Sequence, residues 1–222
     1  MSSIAIVGAG PQLGLAIART FGTHGYDVAL VSRNPDKLVT TLTAEGITAA
    51  AFPADVLDRD ALTQALKNAA DHFDGIGVLE YSPADSLKST TLTTPAHIEP
   101  SHIQHEIEFQ LYGAIAATKA VLPAMREAGT GTLLYTTSAR SITPQPPTAN
   151  TDAAMAALRN WALNLHKELD GTGIQAAHIG IAATIGTPTF YGQPCATADQ
   201  ISPVHWELHT TKRDQAEQIF KG

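Results

Sequence analysis

Residues 4–14, Ile4-Ala5-Ile6-Val7-Gly8-Ala9-Gly10-Pro11-Gln12-Leu13-Gly14, decide the fold. Four apolar residues run directly into a glycine-rich turn, and an alanine-rich helical pattern follows without a gap. This order predicts a buried strand, a tight turn and a helix N-terminus, which can offer backbone N–H groups and the positive end of the helix dipole to a phosphate. Gly8 permits the turn, Gly10 lets a pyrophosphate approach the backbone, and Gly14 lets the helix pack close to the strand.

The spacing of these glycines is G-x-G-x-x-x-G, one residue longer than the G-x-G-x-x-G fingerprint of dinucleotide-binding proteins. An ordinary strand-to-helix turn would show the same glycines. Because strand and helix patterns flank the turn on the correct sides, we interpret it as a dinucleotide site to which Gln12 and Leu13 also contribute.

Composition and charge narrow the class of protein. The chain has 222 residues, 44% of them hydrophobic, so we expect one soluble domain over residues 1–222. No run of about 18 apolar residues predicts a membrane span, and the first strand leaves no room for a signal sequence. The net charge of −7 disfavours a nucleic-acid partner, and Cys195, the single cysteine, can form no internal disulfide or cysteine zinc cluster. We therefore expect a cytoplasmic protein.

Strand and helix patterns alternate along the chain, which predicts an α/β protein with a three-layer, doubly wound parallel sheet, the Rossmann fold. Six strands are predicted, over residues 4–7, 28–31, 48–52, 76–81, 132–136 and 175–179. Helices are predicted over about residues 12–23, 35–45, 58–73, 101–128 and 151–169, with a long loop over 85–100. Residues 197–222 show a mostly helical pattern, and their last piece, 216–220, fits either a helix or a seventh edge strand.

The end of the second strand indicates which dinucleotide binds. Folds that bind NAD carry an acidic residue there, about 20 residues past the glycines, for the ribose 2′-OH. Ser32 and Arg33 occupy this place instead, and Asp27 precedes the strand as a turn residue. A guanidinium beside a hydroxyl suits a 2′-phosphate, so the pair favours NADP over NAD, although a solvated surface arginine would give the same sequence.

Several segments resemble the short-chain dehydrogenase/reductase family, in register and over nearly the full length. They are the glycine turn, Ala54-Asp55-Val56, Gly131–Ser138, and Ile179–Thr184, which resembles the family's P-G-x-V-x-T segment with the proline replaced. The resemblance implies that Asp55, with Val56, contacts the adenine and that Thr184 contacts the nicotinamide end. A turn aspartate and an ordinary loop threonine are the alternatives. Ser82, in the Tyr81-Ser82-Pro83 segment that replaces the family's Asn-Ala-Gly, is expected at the same cofactor site.

The resemblance also implies catalytic positions, and most of them do not match. Family members move a hydride between a nicotinamide and a carbonyl or alcohol carbon, using a Ser, an Asn and a Tyr-x-x-x-Lys pair. Ser138 corresponds to the Ser, whereas Gln110, Thr151 and Met155 stand at the Asn, Tyr and Lys positions. A tyrosine, with a reference pKa of about 10, needs the nearby cation to act as a base near neutral pH. None of the five tyrosines has a lysine four residues later.

Other polar residues are expected near the same crevice. The titratable ones that could donate a proton to a substrate are Tyr81, Tyr135, Arg140 and His178. A position in the sheet core fits Tyr135 and His178 better, and a loop charge fits Arg140 better. A further group at the start of the long helix comprises His97, His102 and His105. Without a third ligand identified, we expect a solvated face there and no metal site.

Two functions therefore remain open. The first is an NADP-dependent oxidoreductase with divergent catalytic residues and an unknown small-molecule substrate. The second is a catalytically silent dinucleotide-binding protein that senses or scaffolds. The resemblance further implies a homodimer or homotetramer that pairs through the long helix and the helix after the fifth strand. The small residues that would allow close packing there are Ala114, Ala116, Ala117, Ala120, Ala153, Ala154, Ala156 and Ala157.

Overall fold

The computed structural model describes residues 2–84, 92–186 and 194–222 and confirms the doubly wound parallel sheet. The strands are β1 (Ser3–Val7), β2 (Asp27–Ser32), β3 (Ala49–Pro53), β4 (Val78–Tyr81), β5 (Gly131–Ser138), β6 (Ile174–Ile181), β7 (Thr184–Ile185), β8 (Cys195–Ala196) and β9 (Glu217–Phe220). Seven of them form one parallel sheet in the order β3-β2-β1-β4-β5-β6-β9, and β7 pairs separately with β8. The first part of the predicted 85–100 loop, residues 85–91, lies outside the described residues.

Helices cover both faces of this sheet. They are α1 (Leu13–Thr23), α2 (Asp36–Ala44), α3 (Arg59–His72), α4 (Pro100–Ile107), α5 (Gly113–Ala128), α6 (Ala149–Glu168), α7 (Ala198–Ile201) and α8 (Pro203–Thr210). Successive residues of β1 supply both cores: Ile4 and Ile6 pack on the side of α1 and α8, and Ala5 and Val7 pack on the side of α3, α5 and α6. Both faces of the strands are buried, which is why they are almost continuously apolar in sequence.

The C-terminal alternative is settled in favour of a strand. β9 pairs in parallel with β6, with His178 opposite Glu217. The backbone N–H of Ala182 donates to the carbonyl of Phe220 at 2.8 Å, which continues the ladder to the end of β6. The helical pattern predicted before this strand corresponds to α7 and α8, and α8 ends at Thr210.

The long helix is interrupted, so the prediction of one regular helix over 101–128 is wrong in this detail. α4 and α5 are joined by a single π-helical turn at Glu108–Tyr112. Such a turn shifts the register of the side chains, and π turns inside α-helices are frequent at functional sites. Gln110, at the middle of this turn, is 7% exposed and faces inward.

Three of the alanines expected between subunits lie in the core instead. Ala114, Ala117 and Ala154 are fully buried within one chain, and α5 presents the first two to the core on one side of the sheet. They cannot contribute to a surface between copies. The remaining five stay a prediction.

The order of the strands places a crevice beside the glycine turn. The sheet reverses direction of growth between β1 and β4, and ligands of open α/β sheets bind at such a switch point, outside the carboxyl ends of the strands. Gly8 follows β1 with φ of +86°, and a Cβ at this position would lie 2.3 Å from Cα of Pro83, which follows β4. The two strand ends therefore approach each other as closely as a glycine allows.

No helix in the three described ranges is long and apolar enough to cross a bilayer.

Candidate active site

One end of the crevice is a cavity of about 260 Å³ at the carboxyl ends of β1, β2 and β3. Its lining includes most of the residues predicted to bind the dinucleotide: Gly8, Gly10, Ser32, Arg33, Asp55 and Val56. The sequence analysis thus identified residues that the fold brings together, although positions 10 and 55 are 45 residues apart along the chain.

The glycine turn leaves room for a ligand at one position only. A Cβ at Gly14 would lie 2.9 Å from Cα of Ala9, which explains the close approach of α1 to the turn. A Cβ at Gly10 would meet nothing nearer than the Gly8 carbonyl oxygen at 3.9 Å. Gln12, at the N-cap of α1, makes no side-chain capping hydrogen bond. The first N–H groups of the helix therefore have no side-chain partner at the N-cap, which is compatible with a phosphate bound at the helix N-terminus.

Arg33 lies at the outer rim of this cavity. Its side chain is exposed, and within the described residues it donates no hydrogen bond and forms no ion pair. Asp55 is partly committed to the local backbone, because its Oδ1 accepts a hydrogen bond from the N–H of Leu57 at 3.0 Å. The turn role considered for Asp55 is thus present, and its position in the cavity wall leaves a ligand contact open as well.

A second cavity of about 240 Å³ adjoins the first at the carboxyl ends of β4, β5 and β6. Pro83, Ala84 and Phe109 line both cavities, so the two are parts of one cleft. All four positions aligned with the family's catalytic residues line this second cavity: Gln110, Ser138, Thr151 and Met155. Leu13 and Ser82 line it too, and Thr184 itself does not, although its neighbours Ala183 and Ile185 do.

Ser138 and Thr151 both line this cavity, and their hydroxyl groups differ in burial and hydrogen bonding. Oγ of Ser138 accepts a hydrogen bond from the backbone N–H of Arg140 at 3.3 Å, so its own proton is free to donate. Oγ1 of Thr151 is buried and has no hydrogen-bond partner in the described structure. A buried hydroxyl without a partner is unfavourable, so Thr151 keeps an unused hydrogen-bonding capacity in the wall of the cavity.

The model of the short chain dehydrogenase family matches residues 2–191. This chain belongs to that family. An uncharacterized oxidoreductase of Staphylococcus aureus is 31% identical to it over 190 residues, covering 83% of this chain and 80% of the relative. A 3-oxoacyl-[acyl-carrier-protein] reductase of Synechocystis sp. is 29% identical over 189 residues, covering 84% and 75%.

Solved structures agree with the fold. The crystal structure of L-sorbose reductase from Gluconobacter frateurii, complexed with NADPH and L-sorbose, superposes on the short-chain dehydrogenase described here with a TM-score of 0.88. The identity is 18%, and the match covers 100% of this chain and 95% of the reductase. Membership of the family implies a nicotinamide dinucleotide as cofactor, and the open space at Gly10 beside the helix N-terminus fits a dinucleotide phosphate.

Beside the second cavity, the chain carries a buried carboxyl group that the sequence motifs do not indicate. Glu80, the third residue of β4, is completely buried. Its Oε2 accepts from the Ser82 hydroxyl at 2.8 Å, and its Oε1 accepts from the Thr136 hydroxyl at 3.0 Å. Nε2 of His205, from α8, lies 3.0 Å from the same Thr136 oxygen. The only sequence signal for this cluster is a single acidic residue inside an apolar strand.

Burial is the largest influence on the pKa values of Glu80 and His205. It raises the pKa of Glu80 to about 8, against the opposing effect of the two hydroxyl hydrogen bonds. It lowers the pKa of His205 to about 4. Both side chains are therefore mainly uncharged near neutral pH, which is how a carboxyl group and an imidazole can share a dry site.

His178 has a structural environment and does not reach the cavity itself. Its Nε2 lies 2.8 Å from the Thr137 hydroxyl, and its Nδ1 lies 2.9 Å from Oε1 of Glu217. Arg159 holds that glutamate with two hydrogen bonds, which fixes β9 against α6. Burial, the larger effect, lowers the pKa of His178 to about 4, and the Glu217 carboxylate opposes it.

Tyr81 and Tyr135 are both core residues, a position that the sequence favoured for Tyr135. The Tyr81 hydroxyl donates to the Phe109 carbonyl at 2.6 Å, and the Tyr135 hydroxyl lies 2.6 Å from Oγ1 of Thr118. Both rings are fully buried, and burial raises the pKa of each phenol further above its ordinary value. Neither side chain lines the cavity.

Of the three histidines near the start of α4, one contributes to the cap of this helix. Nδ1 of His102 accepts from the backbone N–H of Glu99 at 3.1 Å, as part of a capping box at the start of α4. Nδ1 of His97 lies 2.8 Å from the Thr94 hydroxyl, and His105 is exposed. Among the residues whose placement is described, no three His, Cys, Asp or Glu side chains come together as metal ligands.

Proposed function

We propose that this short-chain dehydrogenase is an NADP(H)-dependent oxidoreductase that acts on a small carbonyl compound or the corresponding alcohol. The observation that carries the proposal is the continuity of the cleft. Arg33 lies at one end and Ser138 at the other, and Pro83, Ala84 and Phe109 form a wall common to both cavities.

The preference for NADP rests on the rim of the first cavity. The guanidinium of Arg33 has no partner in the described structure, and Ser32 supplies a hydroxyl beside it. No acidic side chain stands at the end of β2, where an NAD-specific fold would bind the ribose 2′-OH. A 2′-phosphate can accept two charge-assisted hydrogen bonds from the arginine and carries the opposite charge, whereas a 2′-OH is uncharged and offers a single oxygen.

The residues of the second cavity define what the protein contributes to the reaction. Bound at this cleft, a nicotinamide would supply or accept the hydride. Ser138 is placed to donate its free proton to a substrate oxygen and so to polarise the carbonyl. Thr151 and Gln110 can donate further hydrogen bonds, but a hydroxyl or an amide is too weak an acid to replace a tyrosine paired with a lysine. We therefore expect slow turnover.

The proposal is tested by adding the purified protein to NADPH and following nucleotide fluorescence, and then by following NADPH oxidation with a panel of aldehydes and ketones. We expect binding, and turnover that falls about tenfold or more in Ser138→Ala, which loses the polarising hydrogen bond. Binding without turnover of any compound would support the silent alternative. Failure to bind either nucleotide would refute both functions.

We also propose a cytoplasmic homodimer or homotetramer. Support for the assembly comes from the resemblance alone, together with the alanines that are not buried in the core. Light scattering of the purified protein tests it, and a monomer would refute it.

A further inference from the structure

The cation at the wall of the second cavity points to the class of substrate. Of the described residues that line this cavity, Arg140 alone carries a positive charge. It lies two residues beyond Ser138, in the turn that follows β5, and its side chain is 21% exposed. The guanidinium is thus partly removed from water, and the backbone N–H of the same residue donates to Oγ of Ser138 at 3.3 Å.

Asp152 holds this arginine by one edge. The distance between Nε of Arg140 and Oδ1 of Asp152 is 3.3 Å, and the carboxylate is 1% exposed. Oδ2 of Asp152 is already saturated by the N–H of Gln145 at 2.8 Å and the hydroxyl of Thr148 at 2.9 Å. The carboxylate is therefore fixed on the first turn of α6, where it forms an ion pair with the guanidinium.

The two Nη groups, at the other edge of the guanidinium, have no partner among the described residues, and Nε makes no hydrogen bond of good geometry. A guanidinium offers a planar pair of donors that matches a carboxylate. Oγ1 of Thr151, one residue before Asp152, is buried, unpartnered and part of the same wall. Two sets of unused donors thus border one small cavity.

From this arrangement we infer that the substrate is a small oxo acid or hydroxy acid, whose carboxylate is bound by Arg140 and Thr151 while its carbonyl or hydroxyl oxygen faces Ser138. The inference rests on the proposed function, because it names the substrate class of the same site. The acidic residue in the lining, Glu106, is 4% exposed and is engaged in an interaction of its own. Arg140 is in this account a specificity residue and takes no part in proton transfer, since a guanidinium does not deprotonate.

The test compares acids with their own esters, so that only the charge differs. Dissociation constants are measured by saturation-transfer NMR for pyruvate, acetoacetate and levulinate, and for the methyl ester of each, with protein that is saturated with NADP⁺. We expect at least one acid to bind about tenfold or more tightly than its ester, as the loss of a charged hydrogen-bonded pair predicts. The preference should disappear in Arg140→Met and persist in Arg126→Met, which removes an exposed arginine of α5.

Two further variants guard against an effect on folding. Arg140→Met leaves the buried Asp152 without its cation, so the double variant Arg140→Met/Asp152→Asn is measured beside it, with thermal melting of each. Arg140→Lys keeps the charge and should restore part of the preference. Equal binding of acids and esters by the native protein, binding of neither, or an acid preference that survives in the folded double variant would overturn the inference.

The same titrations without nucleotide separate this inference from the proposed function. A protein that fails to bind NADP⁺ but prefers acids through Arg140 would refute the oxidoreductase and keep the acid site. A protein that binds NADP⁺ without discriminating acid from ester would refute the acid site and leave the oxidoreductase proposal standing.

Discussion

The Thr136 hydroxyl donates to the carboxyl group of Glu80 over 3.0 Å, at a depth in the sheet where Glu80 has no exposed surface. The contact joins neighbouring strands β4 and β5 directly behind the second cavity. Ser82 donates to the other oxygen, so each of the two carboxyl oxygens has a hydroxyl partner. Both partner residues line the cavity. The charge state of Glu80 is therefore coupled both to the stability of the sheet and to the polarity of the cleft.

Glu80 should make the stability of the protein depend on pH. Its pKa is about 8 in the folded chain, against about 4.3 in an unfolded one. The folded state thus retains a proton that the unfolded state releases, so the stabilisation is complete below the unfolded pKa and is lost as the pH rises through about 8. Between these values the group should reduce the free energy of unfolding by up to about 1.4 kcal/mol per pH unit.

Urea denaturation of the native protein and of Glu80→Gln, from mildly acidic to mildly alkaline pH, measures this effect. The amide has the size of the carboxyl group and does not titrate, so the variant should lose the alkaline decline. Glu127→Gln, at an exposed position of α5, should keep it. Parallel curves for the native protein and Glu80→Gln would show that this carboxyl group does not titrate as described.

Substitutions at two glycines of the turn should distinguish an effect on folding from an effect on nucleotide binding. Gly10→Ala places its methyl group in open space, so we expect a free energy of unfolding within about 0.5 kcal/mol of the native value and a large loss of nucleotide affinity. Gly8→Ala combines a φ of +86° with a Cβ 2.3 Å from Pro83, so it should destabilise the protein by at least about 1 kcal/mol. Thermal melting and nucleotide fluorescence distinguish the two. Equal NADPH affinity in Gly10→Ala and the native protein would show that no phosphate lies against the turn.

Introducing the family's Tyr-x-x-x-Lys pair at positions 151 and 155 should supply the general acid that this chain lacks. Thr151 and Met155 both line the second cavity, one helical turn apart on α6. In Thr151→Tyr/Met155→Lys the lysine can lower the pKa of the phenol, and positioned acid catalysis contributes about 10²–10⁴-fold. We expect NADPH oxidation with a reactive carbonyl compound to rise by about a hundredfold. The matched control is Thr151→Phe/Met155→Lys, which lacks the hydroxyl, and a rise of the same size in this control would contradict the explanation.

The local features of the fold were predictable from the sequence, because they depend on short-range patterns. Alternating apolar segments locate six of the seven strands of the sheet, and the glycine spacing locates the switch point beside β1. Ser138, which the family resemblance indicated, ends β5 and lines the cleft, because the carboxyl ends of parallel strands meet at one edge.

What the sequence could not show depends on distant contacts and on register. The link from Thr136 to His205 joins residues 69 positions apart, and nothing in the sequence near either residue indicates it. The π turn at Glu108–Tyr112 shifts the register of the long helix, and its pattern of apolar residues fits a regular helix equally well. The alanines at 114, 117 and 154 were assigned to a subunit surface because small residues suit both close subunit packing and close packing on a sheet.

The central claim is that one cleft binds NADP(H) through Arg33 and presents its reactive end to Ser138. The most direct measurement is the pair of dissociation constants for NADPH and NADH, determined by fluorescence for the native protein and for Arg33→Ala, with Lys37→Ala as the control on the neighbouring helix. We predict that the native protein and the control prefer NADPH by about tenfold or more, and that Arg33→Ala loses the preference through weaker NADPH binding alone. Equal affinities in the native protein, or a preference that survives in Arg33→Ala, would contradict the account.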